Sequence, residues 1–378
     1  MQKLFLKKVL FFSPFLALVF AEIFLFPIHF FCHRPWEALV ARDPKLFSGA
    51  FYPNQTLSMQ EEGDLAYRTP FAIKKKVTWV TDEYGFRNLK ESAEATSDIV
   101  IVGESSVVGS SLDQNDTLAE QLESMTRTAV YPYAPKTFQD FIRDDRFQKS
   151  PPKSVILAVS ERVLDHLPQV TNETSPVRSS QKPPHFLTRV TAYDTRPKFL
   201  DAPLIIYDRI IKSTLFHFCR SRLHQAVGLF DPVGIIGNDG KTLFLKADLE
   251  KAIQQEEPFP LQTVVEQLVQ YQAVLRQRGI QFIFVAIPNK STIYYDRVPS
   301  AWGVKKSRRL KNLSLALTKS GVSNIDLQTV FEEAYEKKGT EVYQFDDSHW
   351  NPLGVKMTSE ILLSKLRQRE ELDQNAQI

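Results

Sequence analysis

The chain has 378 residues, 43% of them hydrophobic and 24% charged, the balance of a folded protein with a sizeable core. A net charge of +3 leaves no basic surplus of the kind that nucleic acid demands, so nucleic-acid partners are not expected. The two cysteines, Cys32 and Cys219, are far apart in the sequence, which excludes a disulfide framework and a CxxC metal site.

The first feature in chain order is an apolar run over residues 9–31, long enough for the roughly 20 residues that a bilayer-crossing helix takes. Lys3, Lys7 and Lys8 precede it, so the positive-inside rule predicts a cytoplasmic N-terminus with the bulk of the protein outside. Residues 1–31 are therefore expected to be a short tail and a transmembrane anchor. A cleaved signal peptide, with Val19-Phe20-Ala21 as its cleavage site, is the rival. Hydrophobicity that continues well past Ala21 favours the uncleaved anchor. Glu22, inside the run, reads as a protonated or snorkelling glutamate.

Residues 32–97 read as a membrane-proximal segment. Within it, Val77-Thr78-Trp79-Val80-Thr81 alternates like an edge strand and leads into Asp82-Glu83-Tyr84-Gly85-Phe86-Arg87-Asn88, a turn; residues 89–97 are a polar linker.

An α/β body is expected over 98–378. Ile99-Val100-Ile101-Val102 is a β-branched run of buried-strand type, and 116–125 has helical spacing. The stretch between them, Gly103-Glu104-Ser105-Ser106-Val107-Val108-Gly109, places Ser105 on the turn leaving a strand. That edge is where open α/β sheets bind ligands, and a serine there stands clear of the backbone. A second buried strand is predicted at 154–159, ending at Ser160-Glu161-Arg162. Residues 165 to about 260 form an insertion, with a Ser/Thr/Pro-rich loop over 171–200, helical pieces near 204–228 and 247–256, and a hairpin turn at 237–241. Helix and strand then alternate: helix 263–278, strand 281–287, helix 308–320, strand 322–327, helix 328–337 and a last helix from 352 to about 367. Such alternation makes a parallel sheet with covering helices.

A serine nucleophile needs a base, and the base needs an acid to orient it. The stretch that offers both is Asp346-Asp347-Ser348-His349-Trp350-Asn351-Pro352, opening the last helix. Ser105, His349 and Asp347 or Asp346 are the candidate catalytic residues. The spacing leaves the choice between the two aspartates open, with a slight preference for Asp347 because Trp350 follows.

Together, the Ser105 turn and the His349 block resemble the SGNH (GDSL-like) hydrolase and acyltransferase superfamily. Ile287-Pro288-Asn289-Lys290 with Tyr294, and Gly237-Asn238-Asp239-Gly240 with Leu243-Phe244-Leu245, resemble segments of its alginate O-acetyltransferase-like branch. In that branch the Asp-x-His-Trp phrase precedes the serine block, whereas here it follows, as in other SGNH enzymes. Glu104 stands where the family block has Asp, and the family's oxyanion Gly and Asn are missing from Val130–Pro135 and Ser160–Arg162. The resemblance implies a three-layer, flavodoxin-like parallel sheet. It also implies acyl transfer, chiefly acetyl, between a donor and a carbohydrate acceptor in the cell envelope, without metal or diffusible cofactor. A membrane-bound partner that carries acetyl across the bilayer is part of that implication. Oxyanion or substrate contacts are expected from Ser106 and Arg162, or from Lys290 and Tyr294, although Glu161–Arg162 also reads as a buried ion pair and Lys290 and Tyr294 as helix-start packing. An esterase or deacetylase, and a carbohydrate-binding scaffold with an impaired site, are the alternative functions.

Overall fold

The computed structural model describes residues 2–24, 30, 32–41, 47–67, 69–89, 97–170, 219–220, 222–223, 226, 233–253 and 259–375. Most of the insertion expected at 165–260, including nearly all of the helical stretch near 204–228, and most of the 89–97 linker lie outside these residues.

Five strands make the central sheet: β3 (Ile99–Gly103), β4 (Val130–Tyr133), β5 (Ser154–Ser160), β8 (Gln281–Ile287) and β9 (Asn324–Ile325). They are ordered β4-β3-β5-β8-β9 and all pairs are parallel. Side chains alternate across the pleat. Ile99, Ile101, Ile156, Ile283 and Val285 point to one face with helices Leu118–Thr126, Leu327–Lys338 and Pro352–Asn375. Val100, Val102, Val155, Leu157, Phe282 and Phe284 point to the other with helices Phe138–Arg143, Leu261–Gln277 and Arg309–Lys319. Both faces are therefore dry, which is why the strands read as continuous apolar runs, and the architecture is a three-layer α/β/α sandwich.

The chain leaves β3 toward β4 on one side of the sheet and returns to β5 on the other. The crevice at the carboxyl ends of β3 and β5 is thus the topological switch point, where such sheets place their ligands. Ser105 follows β3 directly.

A two-stranded antiparallel sheet, β1 (Thr56–Glu61) with β2 (Lys75–Val80), precedes this body in sequence and packs into the same core. Leu57, Val77 and Trp79 turn inward from it. A second hairpin, β6 (Gly234–Ile236) with β7 (Leu243–Leu245), forms around the turn predicted at 237–241. The stretch expected as a strand over 322–327 contributes only Asn324–Ile325, and the last helix runs on to Asn375.

The turn after β2 explains its sequence phrase. Asp82 Oδ1 accepts the Tyr84 and Phe86 N–H groups, each at 2.9 Å, while Oδ2 accepts the Tyr131 hydroxyl. Gly85 supplies the positive φ of 86° that the turn requires. Arg87 is then carried under the loop that follows Ser105. Its guanidinium donates to the carbonyls of Val108, Gly109, Thr78 and Leu112 and to Gln114 Oε1, and it lies 4.1 Å over the Trp79 ring. Replacing Arg87 with alanine takes a donor from each of these acceptors, of which the Gly109 carbonyl keeps the Leu112 N–H and Gln114 Oε1 keeps the Val80 N–H. The expected loss is about 3–5 kcal/mol of stability, read as a lower urea midpoint, with Arg87→Lys recovering only part because an ammonium lacks the planar fork. An unchanged midpoint for Arg87→Ala would contradict this account.

The transmembrane anchor expected over residues 9–31 is not supported among the described residues. The N-terminal helix spans Gln2–Phe24, and no helix among the described residues is long and apolar enough to cross a membrane. Lys8 and Glu22 leave only residues 9–21 between them without a charge. That is about 20 Å of helix at about 1.5 Å per residue, against about 30 Å of hydrocarbon. Residues 25–29 and 31, the end of the apolar run, lie outside the described residues.

Candidate active site

The site begins where β3 ends. A side chain at Gly103 would put its Cβ 2.3 Å from the Ala158 carbonyl oxygen and 2.4 Å from Val107, so the chain turns there only with glycine. Glu104 reaches across to the next strand, where its carboxylate accepts the Ser160 N–H. The longer side chain thus still ties down the turn, through the end of β5. Ser105 opens a short helix, Ser105–Val108, closed by Gly109 at φ 79°. The N–H groups of Val107 and Val108 both donate to the Glu104 carbonyl. Those of Ser105 and Ser106 come before these bonds, in the first turn of the helix.

His349 arrives from the far end of the chain. Asn351 Oδ1 accepts the Gly354 N–H and Pro352 begins the last helix, an N-terminus of the expected kind. The preceding turn holds His349 with its ring nearly buried. Ser105 Oγ lies 2.8 Å from His349 Nε2, and His349 Nδ1 lies 2.6 Å from Asp347 Oδ1. An ionised carboxylate only accepts. Nδ1 therefore carries the proton, and Nε2 is left to accept from the Ser105 hydroxyl.

Asp347 is fully buried. It also accepts the His349 N–H at 2.9 Å and the Asp64 N–H at 2.8 Å. Burial alone would raise this carboxyl, but the His349 charge and these hydrogen bonds outweigh it and hold Asp347 well below the usual carboxylate range. In turn, burial alone would lower His349. Asp347, with help from Asp64, overcomes it and raises the imidazole above the ordinary 6.5.

Asp346 has a different task. Its Oδ2 accepts the N–H groups of Gly63 (3.0 Å) and Ile73 (2.8 Å), and its carbonyl accepts Leu65 N–H. It holds the 62–73 strap between β1 and β2 against the histidine turn and makes no bond to the ring.

Of the two roles expected for Lys290 and Tyr294, the structure shows packing and not substrate contact. Lys290 is buried and its Nζ donates to three carbonyls, those of Leu243, Phe345 and Asp347. Burial pushes its pKa down to about 7. It braces the histidine turn from beneath and has no face left for substrate. Tyr294 is also fully buried, its hydroxyl accepting the Val342 and Tyr343 N–H groups. Nor do Glu161 and Arg162 form the ion pair with each other. Glu161 accepts the Asn289 N–H and the Thr292 hydroxyl, and Arg162 Nη2 pairs with Asp248 at 3.4 Å. The Arg162 charge still reaches His349, where it opposes protonation. The Ser106 side chain is buried, so what that residue offers an oxyanion is its backbone N–H.

Sequence reasoning missed Asp64. Its carboxylate accepts the Ser348 N–H and hydroxyl, both at 2.7 Å, and Oδ2 stands 3.7 Å from His349 Nδ1. No local pattern links a residue of the β1–β2 strap to a turn so far along the chain; Gly63, which marks a bend, is the nearest thing to a signal. Asp64, Asp347 and His349 bring ligand-type atoms within 4.8 Å of one another, but these atoms are engaged with each other and with Ser348. Beside the switch point, a cavity of about 550 Å³ opens at the carboxyl ends of β5 and β8, with Glu161, Asp248, Asn289, Ser291, Trp302 and Arg309 in its wall.

Residues 235–377 match the family model described as SGNH hydrolase-like domain, acetyltransferase AlgX. Over this segment, less than half of the chain, the sequence is similar to the AlgX type of SGNH hydrolase-like domain. No curated protein matches it. The AlgX-type match takes in the β6–β7 hairpin, β8, Lys290 and the Asp347–His349 turn, and Ser105 lies upstream of it. The five-stranded parallel sheet is consistent with an SGNH-like fold.

Proposed function

We propose that this protein is a serine acyltransferase that moves an acyl group, chiefly acetyl, onto a carbohydrate hydroxyl through an acyl-enzyme on Ser105. One observation carries the reading: the continuous chain from Ser105 Oγ to His349 Nε2 and from Nδ1 to Asp347, at 2.8 and 2.6 Å, in a chain with an AlgX-type SGNH segment. Ser105 Oγ attacks the donor carbonyl as its proton passes to Nε2. Asp347 stabilises the imidazolium, which then protonates the departing alkoxide. In the second half, Nε2 takes the proton of an acceptor hydroxyl as that oxygen attacks the acyl-serine, and returns it to Ser105 Oγ as the acyl–Oγ bond breaks. The first-turn N–H groups of Ser105 and Ser106 are the donors for the developing oxyanion.

A water molecule in the acceptor's place makes the same site an esterase or deacetylase. The missing family Gly and Asn are the observation that keeps a carbohydrate-binding scaffold in view. We place the domain outside the cytoplasm, supplied with acyl groups by a membrane-bound partner, with the exposed Phe11, Phe12, Phe15 and Leu16 of the N-terminal helix against lipid. The full chain incubated with p-nitrophenyl acetate, with and without oligosaccharide acceptors, tests the reaction. Ester turnover that yields acetylated sugar supports the transferase and turnover to free acetate supports the esterase. Glycan binding with no turnover of any acyl donor would instead favour the scaffold.

The pH profile has a definite sign. Only neutral His349 accepts the serine proton, and its carboxylate partners raise its pKa above the ordinary 6.5. The acid limb of kcat/KM therefore falls above that pH, activity rising as the free enzyme loses the imidazole proton. A limb below pH 6.5 would contradict the assigned contacts.

A further inference from the structure

We propose that Asp64 is a positioning residue for the reaction, a second carboxylate that fixes the His349 ring through Ser348 and shares the charge of the imidazolium with Asp347. Its kinetic consequence rests on the acyl-transfer reading, whereas its effect on the histidine does not.

The strap that carries Asp64 is held without its side chain. Gly63 N–H donates to Asp346, Asp64 N–H to Asp347, and Leu65 N–H to the Asp346 carbonyl. Gly63 permits the approach, since a Cβ there would stand 2.1 Å from the Asp346 carbonyl oxygen. These backbone bonds secure the strap before the Asp64 carboxylate adds its own contacts to the histidine turn. The carboxylate takes both Ser348 donors and, beyond that anchoring, stands 3.7 Å from His349 Nδ1. There it lies close to Asp347, and like-charge proximity together with burial disfavours its ionised form. Burial first, then Asp347, push the Asp64 carboxyl up, against the pull of His349 and Ser348.

Besides the Ser348 donors and the charge of Arg34, what balances a second buried carboxylate beside Asp347 is a positive charge on the ring. The ring is positive after it has taken the serine proton. An interaction stronger in that state than in the resting one lowers the barrier and does more than tighten the fold. The groups that face the histidine are Asp347 and Ser348 from its own turn, Asp64 from the strap, Ser105 from the end of β3 and Arg162 from the end of β5. Behind Asp347, the buried Glu61 at the end of β1 and Lys75 on β2 add charges of opposite sign. Asp64 is the one carboxylate besides Asp347 that is paired with the ring among the described residues.

The test is Asp64→Asn in the full chain, which keeps the size of the side chain and an acceptor for the Ser348 N–H. Imidazole NMR, with His349 assigned among the seven histidines through His349→Gln, follows the ring without any substrate. The expected result is a titration midpoint below that of the wild type, with Asp64→Glu recovering part of the shift. On p-nitrophenyl acetate, kcat/KM falls about tenfold, through kcat and not KM. Should Asp64→Asn not fold, Asp64→Ser is read in the same way. A folded variant whose His349 titrates as in the wild type overturns the proposal, whatever happens to the rate. A chain with no ester turnover at all refutes the acyl-transfer reading, while the titration still decides the role of Asp64.

Discussion

Replacing Ser105 or His349 with alanine abolishes nearly all turnover of p-nitrophenyl acetate, each by about 10,000-fold or more, and the double variant is little worse than either. The nucleophile and its base act as a unit, so the first loss removes what the second would have removed. Ser105→Ala takes away one hydroxyl whose hydrogen bond is to His349, so its thermal midpoint stays close to that of the wild type. A stable Ser105→Ala protein with unchanged turnover would reduce the serine to a turn residue.

The second large effect separates the two aspartates. Asp347→Asn keeps the shape of the side chain but presents an amide where a carboxylate accepted the Nδ1 proton, which allows the ring to take the tautomer with its hydrogen on Nε2. That tautomer cannot accept the serine proton, and kcat falls by about 10,000-fold. Asp346→Asn disturbs only the anchoring of the strap, through Gly63 and Ile73, so its cost appears mainly in stability, at about 1–2 kcal/mol. Equal rate losses for the two variants would mean that the 2.6 Å contact between His349 and Asp347 does not control the tautomer.

Much of this arrangement was legible in the sequence because it is local. The strand Gln281–Ile287 stands where its apolar run ends against Pro288. The Ser105 turn follows from a β-branched strand running into Gly103-Glu104-Ser105, and the His349 block from two carboxylates, a histidine and the start of a helix. What could not be read was long-range. The β1–β2 strap closes over a turn near the opposite end of the chain, so Asp64 looked like any acidic loop residue. Arg87 stands out in the sequence only as part of a turn phrase, and its partners, the carbonyls beyond Ser105, are visible only in the fold. Lys290 and Tyr294 drew attention through the family resemblance of their segment; in the structure both face inward to satisfy backbone groups. At the N-terminus the apolar run over 9–31 contains Glu22, and the uncharged stretch of the described helix is shorter than a bilayer crossing needs.

The central claim is that Ser105 carries the acyl group. Mixing the full chain with p-nitrophenyl acetate, quenching in acid during the first turnovers and mapping the digest by mass spectrometry tests it directly. The account predicts one acetyl group on the peptide containing Ser105, absent from Ser105→Ala and from His349→Ala. Steady turnover with Ser105 unmodified throughout, or with the acetyl group on another residue whose loss abolishes activity, would contradict it.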